Sequence, residues 1–275
     1  MFTLVLALGV AAVLVLLGAR PVAASQRCTA VLPGGGAHVL DSGQADNAAL
    51  IAAVAGSRGM PARAVTIALA TALQESKLTN IDYGDRDSLG IFQQRPSQGW
   101  GTEAEILDAV YATNAFFDAL QKVPDYEDLA ITVAAQAVQR SAYPEAYARH
   151  ESRARAFASA LAGHSPAALT CDLDPLAEPS ASLAENLTAR LTRDWGAAPV
   201  TVDDAAGRAV VDATAVLPGI PAATAAWSVG QWAVATASST EVSWVAVGDR
   251  VWERGEDGWN DAGDRAQPAG VILVG

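Results

Sequence analysis

From residue 46 to residue 163 the chain repeats one texture: Ala-rich runs with apolar residues at helical spacing, each bounded by a capping residue, a proline or a glycine. No other feature restricts the fold as much. Apolar residues recurring every three and four positions lay a stripe along one side of a helix, and that stripe must find a partner surface. Asp46 stands where it can cap NAALIAAVAGS, which ends at Gly56 or Gly59. Pro61 occupies a first-turn position for PARAVTIALATALQES, a helix running to Ser76. Thr102 and Glu105 have capping-box spacing for the next helix. Further helices are expected over residues 110–123, 130–140 and 144–162, the last closing at Gly163. Residues 25–43, with Pro33 ahead of Gly34, Gly35 and Gly36, read as loop.

After Cys171 the composition changes. Residues 172–182, with Pro175 and Pro179, read as a linker. Beyond it, residues 183–195 form an amphipathic helical pattern, residues 208–216 contain a β-like AVVDATAV, and residues 221–237 are a Trp-bearing helix. Gly248 and Asp249 separate two apolar runs by the two residues of a tight hairpin, and residues 271–274 are a last strand. The expected fold is mainly α. A helical domain over residues 25–171 precedes a small α+β module over residues 183–275, whose core is Trp227, Trp232, Trp244, Trp252 and Trp259.

Residues 2–19 carry no charge, and nothing later is as long and as uniformly apolar. A multi-pass transporter is excluded, because each crossing takes about 20 such residues. Val22, Ala23 and Ala24 are small residues suited to cleavage after Ala24, so residues 1–24 read as a signal peptide or, uncleaved, as an N-terminal membrane anchor. Either places the protein outside the cytoplasm, secreted or held at the membrane. Export permits Cys28 and Cys171 to pair, the alternative being two separate buried thiols. Thirty acidic against eighteen basic side chains give a net charge of −12, which excludes general nucleic-acid binding. The two cysteines and His38, His150 and His164 show no zinc-ligand spacing, so neither a metal nor a cofactor is expected. No G-x-S-x-G elbow supports serine catalysis.

Glu75 is the residue with chemistry to offer. It lies in the last turn of its apolar helix, with Ala68, Thr71 and Ala72 on the same face. Apolar surroundings and the negative end of the helix dipole both favour the protonated carboxyl, the form that general-acid cleavage of a glycosidic bond requires. A solvated glutamate at a helix end is the bland alternative. Downstream, Tyr83, Phe92, Gln93, Gln94, Arg95 and Trp100 mix rings with amides, the side chains that saccharide clefts use. Asp82, Asp85 and Asp87, in the loop between, are left unassigned as water-activating carboxylates.

Glu75-Ser76 followed by Gly90-Ile91-Phe92-Gln93 resembles the helix end and cleft segment of the lysozyme-like superfamily, that of lytic transglycosylases and goose-type lysozymes. More closely, ALATALQESKL, DYGDRDSLGIFQQRPSQGWG and AAQAVQRSAYPEAYARHE are similar to a group of exported actinobacterial proteins with a lysozyme-like domain, over residues 45–161. The resemblance implies a lysozyme-like helical domain in which Glu75 is the catalytic acid, Ser76 a substrate-binding residue beside it and Gln93 a residue lining the sugar cleft. Transglycosylases carry an Ala-Tyr-Asn-Ala-Gly segment in a later helix. Here AAQAVQRS stands instead, with Gln136, Gln139 and Tyr143 as the polar groups available. Two functions follow as expectations. One is an exported glycosidase or lytic transglycosylase acting on peptidoglycan glycan strands at the bond between N-acetylmuramic acid and N-acetylglucosamine. The other is a catalytically inactive wall-binding or envelope scaffolding protein, with residues 183–275 as a surface for other envelope proteins.

Overall fold

The computed structural model describes residues 26–141, 143–178, 182–203 and 206–275. The signal peptide or anchor expected over residues 1–24 lies outside the described residues. Among those described, no helix is long and apolar enough to cross a membrane.

The described residues open with a hairpin, β1 (Arg27–Val31) and β2 (Ala37–Asp41), where loop was expected. Its turn needs the glycines: Gly34, Gly35 and Gly36 have φ of 94°, 105° and 99°, a region closed to side chains. β3 (Leu169–Asp172) pairs along the other edge of β1, placing Cys171 directly opposite Cys28. The two cysteines form a disulfide, which fits an oxidising compartment. Asp41 and Gln44 close a capping box that starts α1 (Ser42–Ser57), upstream of the start expected from Asp46.

α2 (Ala62–Ser76) follows Pro61, which caps the helix from extended backbone instead of entering its first turn. Its buried face includes Ile67 and Leu69, each contributing ~1.5–3 kcal/mol by burial. α3 (Glu103–Leu107) begins with the Thr102–Glu105 box formed as its spacing predicts. α4 (Ala109–Leu120) and α5 (Ile131–Gln139) follow. The last expected helix of this region is broken in two: a 3₁₀ stretch, Pro144–His150, leads into α6 (Glu151–Leu161).

The remainder holds α7 (Leu183–Trp195), β4 (Val200–Asp203), β5 (Arg208–Asp212), α8 (Ala213–Val216), α9 (Ala222–Ala235) and α10 (Ala237–Thr240). β6 (Trp244–Val247), β7 (Arg250–Glu253), β8 (Trp259–Asp261) and β9 (Val271–Val274) complete an antiparallel sheet in the order β4-β5-β9-β6-β7-β8. Of the described residues, 48 % are helical and 16 % are in strands, so the fold is mixed α+β and the expectation of a mainly α protein is corrected. β1, β2, β3, β4 and β8 are the strands the sequence did not lead us to expect, each only three to five residues long. β1 alternates cleanly, with Cys28 and Ala30 inward, yet its five residues are too few for a period of two to stand out.

One continuous core joins the two segments, with Leu69 and Phe157 from the first sharing it with Leu187, Trp232 and Trp252 from the second. α1 meets α7 where Gly56 faces the Trp195 ring; a Cβ there would lie 2.8 Å from it. Near the other end of α1, Arg190 of α7 is 8 % exposed and pairs with Asp46 of α1 and Asp194 of its own helix, both at 2.7 Å. Trp232 Nε1 also donates to Asp194, at 3.0 Å. Arg190→Met is expected to cost about 3 kcal/mol, because it leaves buried carboxylates short of their cation. Arg193 still reaches Asp194, at 2.7 Å, which keeps the cost from being larger. Urea unfolding measures it as a lower midpoint at unchanged slope. A loss below about 0.5 kcal/mol would remove the network from the account of stability.

Candidate active site

Two loops and one 3₁₀ turn converge on the C-terminal end of α2. Lys77 and Leu78 end the helix in left-handed backbone, with φ of 57° and 62°, and both N–H groups return to Ala72 O. The returning loop passes Gly90, whose φ is 76° and whose Cβ, if present, would lie 2.6 Å from Ile106 O. Only glycine fits there. Ser76 ties loop to helix: its hydroxyl donates to Ile91 O at 2.7 Å and accepts Thr79 N–H at 3.1 Å.

Glu75 is half-buried at this junction. Tyr147, wholly buried in the 3₁₀ turn, donates its hydroxyl to Glu75 Oε1 at 2.7 Å. The turn is seated on α2 by Arg149, which donates to Gln74 Oε1 at 2.8 Å. Ser141 hydrogen-bonds the Tyr147 hydroxyl in turn, and its own Oγ accepts Tyr143 N–H at 3.1 Å. From the other side Gln139 donates to Phe92 O at 2.8 Å and hydrogen-bonds Glu75. Burial pushes the Glu75 carboxyl above its ordinary value of 4.5, against the opposing pull of the Tyr147 and Gln139 hydrogen bonds. Burial, and then the Glu75 contact, raises the Tyr147 hydroxyl well above the usual tyrosine range, so it stays a donor.

The other residues singled out by the sequence divide sharply. Phe92 is fully buried and stacks on Phe116 with ring centroids 4.5 Å apart, so it belongs to the core and not to a cleft. Gln94 is buried as well, donating to Ala112 O at 3.1 Å, with its Oε1 unpartnered. Gln136 donates to Ser141 O at 2.8 Å and thereby shapes the turn after α5. Gln93, in left-handed backbone (φ 51°), donates to Tyr83 O and Gly90 O. Tyr83 and Tyr143 are 69 % and 74 % exposed, while Trp100 is half-buried against the core. Trp100 and Gln139 line one groove of about 630 Å³.

No protein-family model matches this chain, and no curated protein matches it.

Of the three loop aspartates, Asp87 is committed elsewhere. It accepts Arg95 Nε at 2.7 Å and Ser97 N–H at 2.8 Å. The Ser97 hydroxyl and N–H, then Arg95, hold its carboxyl well below the ordinary range. Asp82 and Asp85 are exposed. No group of three or more His, Cys, Asp or Glu side chains among the described residues is placed to hold a metal ion. The residue that sequence reasoning missed is Tyr147. Seventy-two positions separate it from Glu75, and its neighbours EAYAR are ordinary helix formers, so only the tertiary fold makes it a partner.

Proposed function

We propose that the chain is an exported peptidoglycan-cleaving glycosidase of the lytic transglycosylase type, in which Glu75 is the general acid. The observation that carries this reading is the carboxyl itself, half-buried, raised above its ordinary value and hydrogen-bonded by Tyr147 and by Gln139, a residue that also lines an open groove. Left-handed backbone occurs at Lys77, Leu78 and Gln93, on the segments that meet at the end of its helix. Such strain costs ~1–2 kcal/mol per residue and gathers at functional sites.

In this mechanism the Glu75 proton passes to the bridging oxygen between N-acetylmuramic acid and N-acetylglucosamine as the C1–O bond breaks. The muramyl C6 hydroxyl then attacks C1 and gives its proton back to Glu75. No second carboxylate takes part, in keeping with an Asp87 that is bound to Arg95 and Ser97. An inverting hydrolase would need a second one about 6.5–9.5 Å away. Mass spectrometry of isolated peptidoglycan treated with the full chain tests the reading. Anhydro-muropeptides are expected, and reducing ends would instead mean a water-using lysozyme.

Tyr147→Phe removes a hydrogen bond that lowers the Glu75 pKa, so the pKa rises further. The alkaline limb of the pH–activity profile, where Glu75 loses its proton, is expected to move to higher pH. Stability falls by about 1–3 kcal/mol with the lost hydrogen bond. A limb that stays in place would separate Tyr147 from the catalytic group.

A second reading, a wall-binding scaffold without catalysis, draws on the fate of Ser76, Phe92 and Gln94, which are spent on packing and backbone contacts. Binding of sacculi with no soluble product would favour it.

A further inference from the structure

The groove that meets the site at Gln139 has an electrostatic character at odds with the rest of the molecule. The chain carries a net charge of −12, yet no acidic residue lines this groove and two cations, Lys122 and Arg140, do. Neither cation forms an ion pair among the described residues, although most of the other arginines do. Trp100, Val123 and Val138 supply the apolar part of its wall. Arg140 is held at this rim by the backbone: it caps α5 in left-handed conformation (φ 52°), its N–H returned to Gln136 O at 2.8 Å.

An unpaired Lys and Arg over an apolar wall suit a ligand with carboxylates and small apolar side chains. Arg offers a planar fork for a carboxylate, and Lys adds a point charge. The position narrows the choice. Gln139 touches Glu75 on one side and the groove on the other, so a ligand in the groove is contiguous with the bond that Glu75 would protonate. The muramyl sugar carries its peptide stem next to that bond, and the stem is a short peptide with free carboxylates.

We infer that this groove binds the carboxylates of the peptide stem through Lys122 and Arg140, making peptide-bearing strands, and not bare glycan, the substrate. The inference rests on the proposed cleavage at Glu75 and adds a recognition element to it. It also answers a charge problem. An acidic protein approaching an anionic wall is repelled overall, and a local cationic groove gives the approach a productive orientation.

The test compares intact peptidoglycan with strands from which an amidase has removed the stems, using the full chain and the exposed double variant Lys122→Gln/Arg140→Gln. The parent is expected to cleave peptide-bearing strands with kcat/KM about tenfold or more above stripped strands, one charge-assisted contact being worth about that factor. The double variant should lose the preference and cleave stripped strands as the parent does, while Lys122→Arg keeps it. Equal cleavage of both substrates by the parent, or a preference that survives the double substitution, overturns the inference and leaves the cleavage reading standing. If the parent cleaves neither substrate, the cleavage reading fails, and sedimentation with the same two sacculus preparations decides this one. Retention on intact sacculi that the double variant loses upholds it; equal retention, or none, overturns it.

Discussion

Glu75→Gln is expected to abolish release of soluble glycan fragments while the protein stays folded. The amide is nearly isosteric with the carboxyl but has no ionisable proton to deliver, and general acid–base catalysis contributes about 10²–10⁴-fold. The same substitution should stabilise the protein at neutral pH. Burial raises the Glu75 pKa in the folded state above its ordinary 4.5. Below that ordinary value both folded and unfolded chains are protonated, and the stability associated with the neutral carboxyl is fully present. As pH rises the unfolded chain ionises first, and stability is lost until the pH passes the folded-state pKa. Glutamine does not titrate, so the variant escapes this loss. Thermal unfolding of parent and variant should therefore diverge between acid and neutral pH, with the variant ahead at neutral pH and the gap narrowing below pH 4.5. Cleavage that persists in the variant would sink the mechanism. A gap that does not change with pH would mean that Glu75 is not a strained carboxyl at all.

Replacing both Cys28 and Cys171 by alanine is expected to cost about 4–5 kcal/mol in the chain-entropy account of a disulfide. The bond joins residues 143 positions apart and pins β1 to β3 at facing positions. It also links the strand that opens the described fold to the strand that follows α6, so its loss lets the segments that form the central strand and one edge strand of the three-stranded sheet move apart in the unfolded ensemble. Small apolar replacements keep the site dry, since both positions are 1 % exposed and a serine hydroxyl would be buried. Guanidinium unfolding of parent and double variant measures the difference. A change under about 1 kcal/mol would leave the bond as a marker of an oxidising compartment and little more.

Legibility followed signal length. α2 was readable because fifteen residues carry Pro61 before them and a run of buried Ala, Ile and Leu within. α7 was readable from its amphipathic pattern, and the structure ends it at Gly196, where φ is 75°. Among the strands, β6 and β7 showed through Gly248 and Asp249, whose turn chemistry is local. β1, β2, β4 and β8 have three to five residues each. Their inward positions are taken by residues as unremarkable as Ala30, and they become strands by pairing with distant partners.

The candidate site shows the same division. Glu75 was visible because its helix and its place in the last turn are local properties. Phe92 and Gln94 were read as cleft residues from their types, but rings and amides serve a core equally well. Phe116 and Ala112 O, both on α4, claimed them.

By itself, the sequence determined the helical periodicity, the capping box at Thr102 and Glu105, the net charge and the carboxyl at the end of an apolar helix. All of these are properties of neighbouring residues or of simple sums. Only the tertiary structure decided that Tyr147 and Gln139 hold that carboxyl, that Asp87 is bound to Arg95 and Ser97, and that Lys122 and Arg140 face one groove. It also decided that Asp46, read as a cap, answers Arg190 across the core instead. The physical reason is common to them all. Burial and hydrogen bonding depend on which surfaces meet, and residues 72 or 144 positions apart meet only when the whole chain has folded.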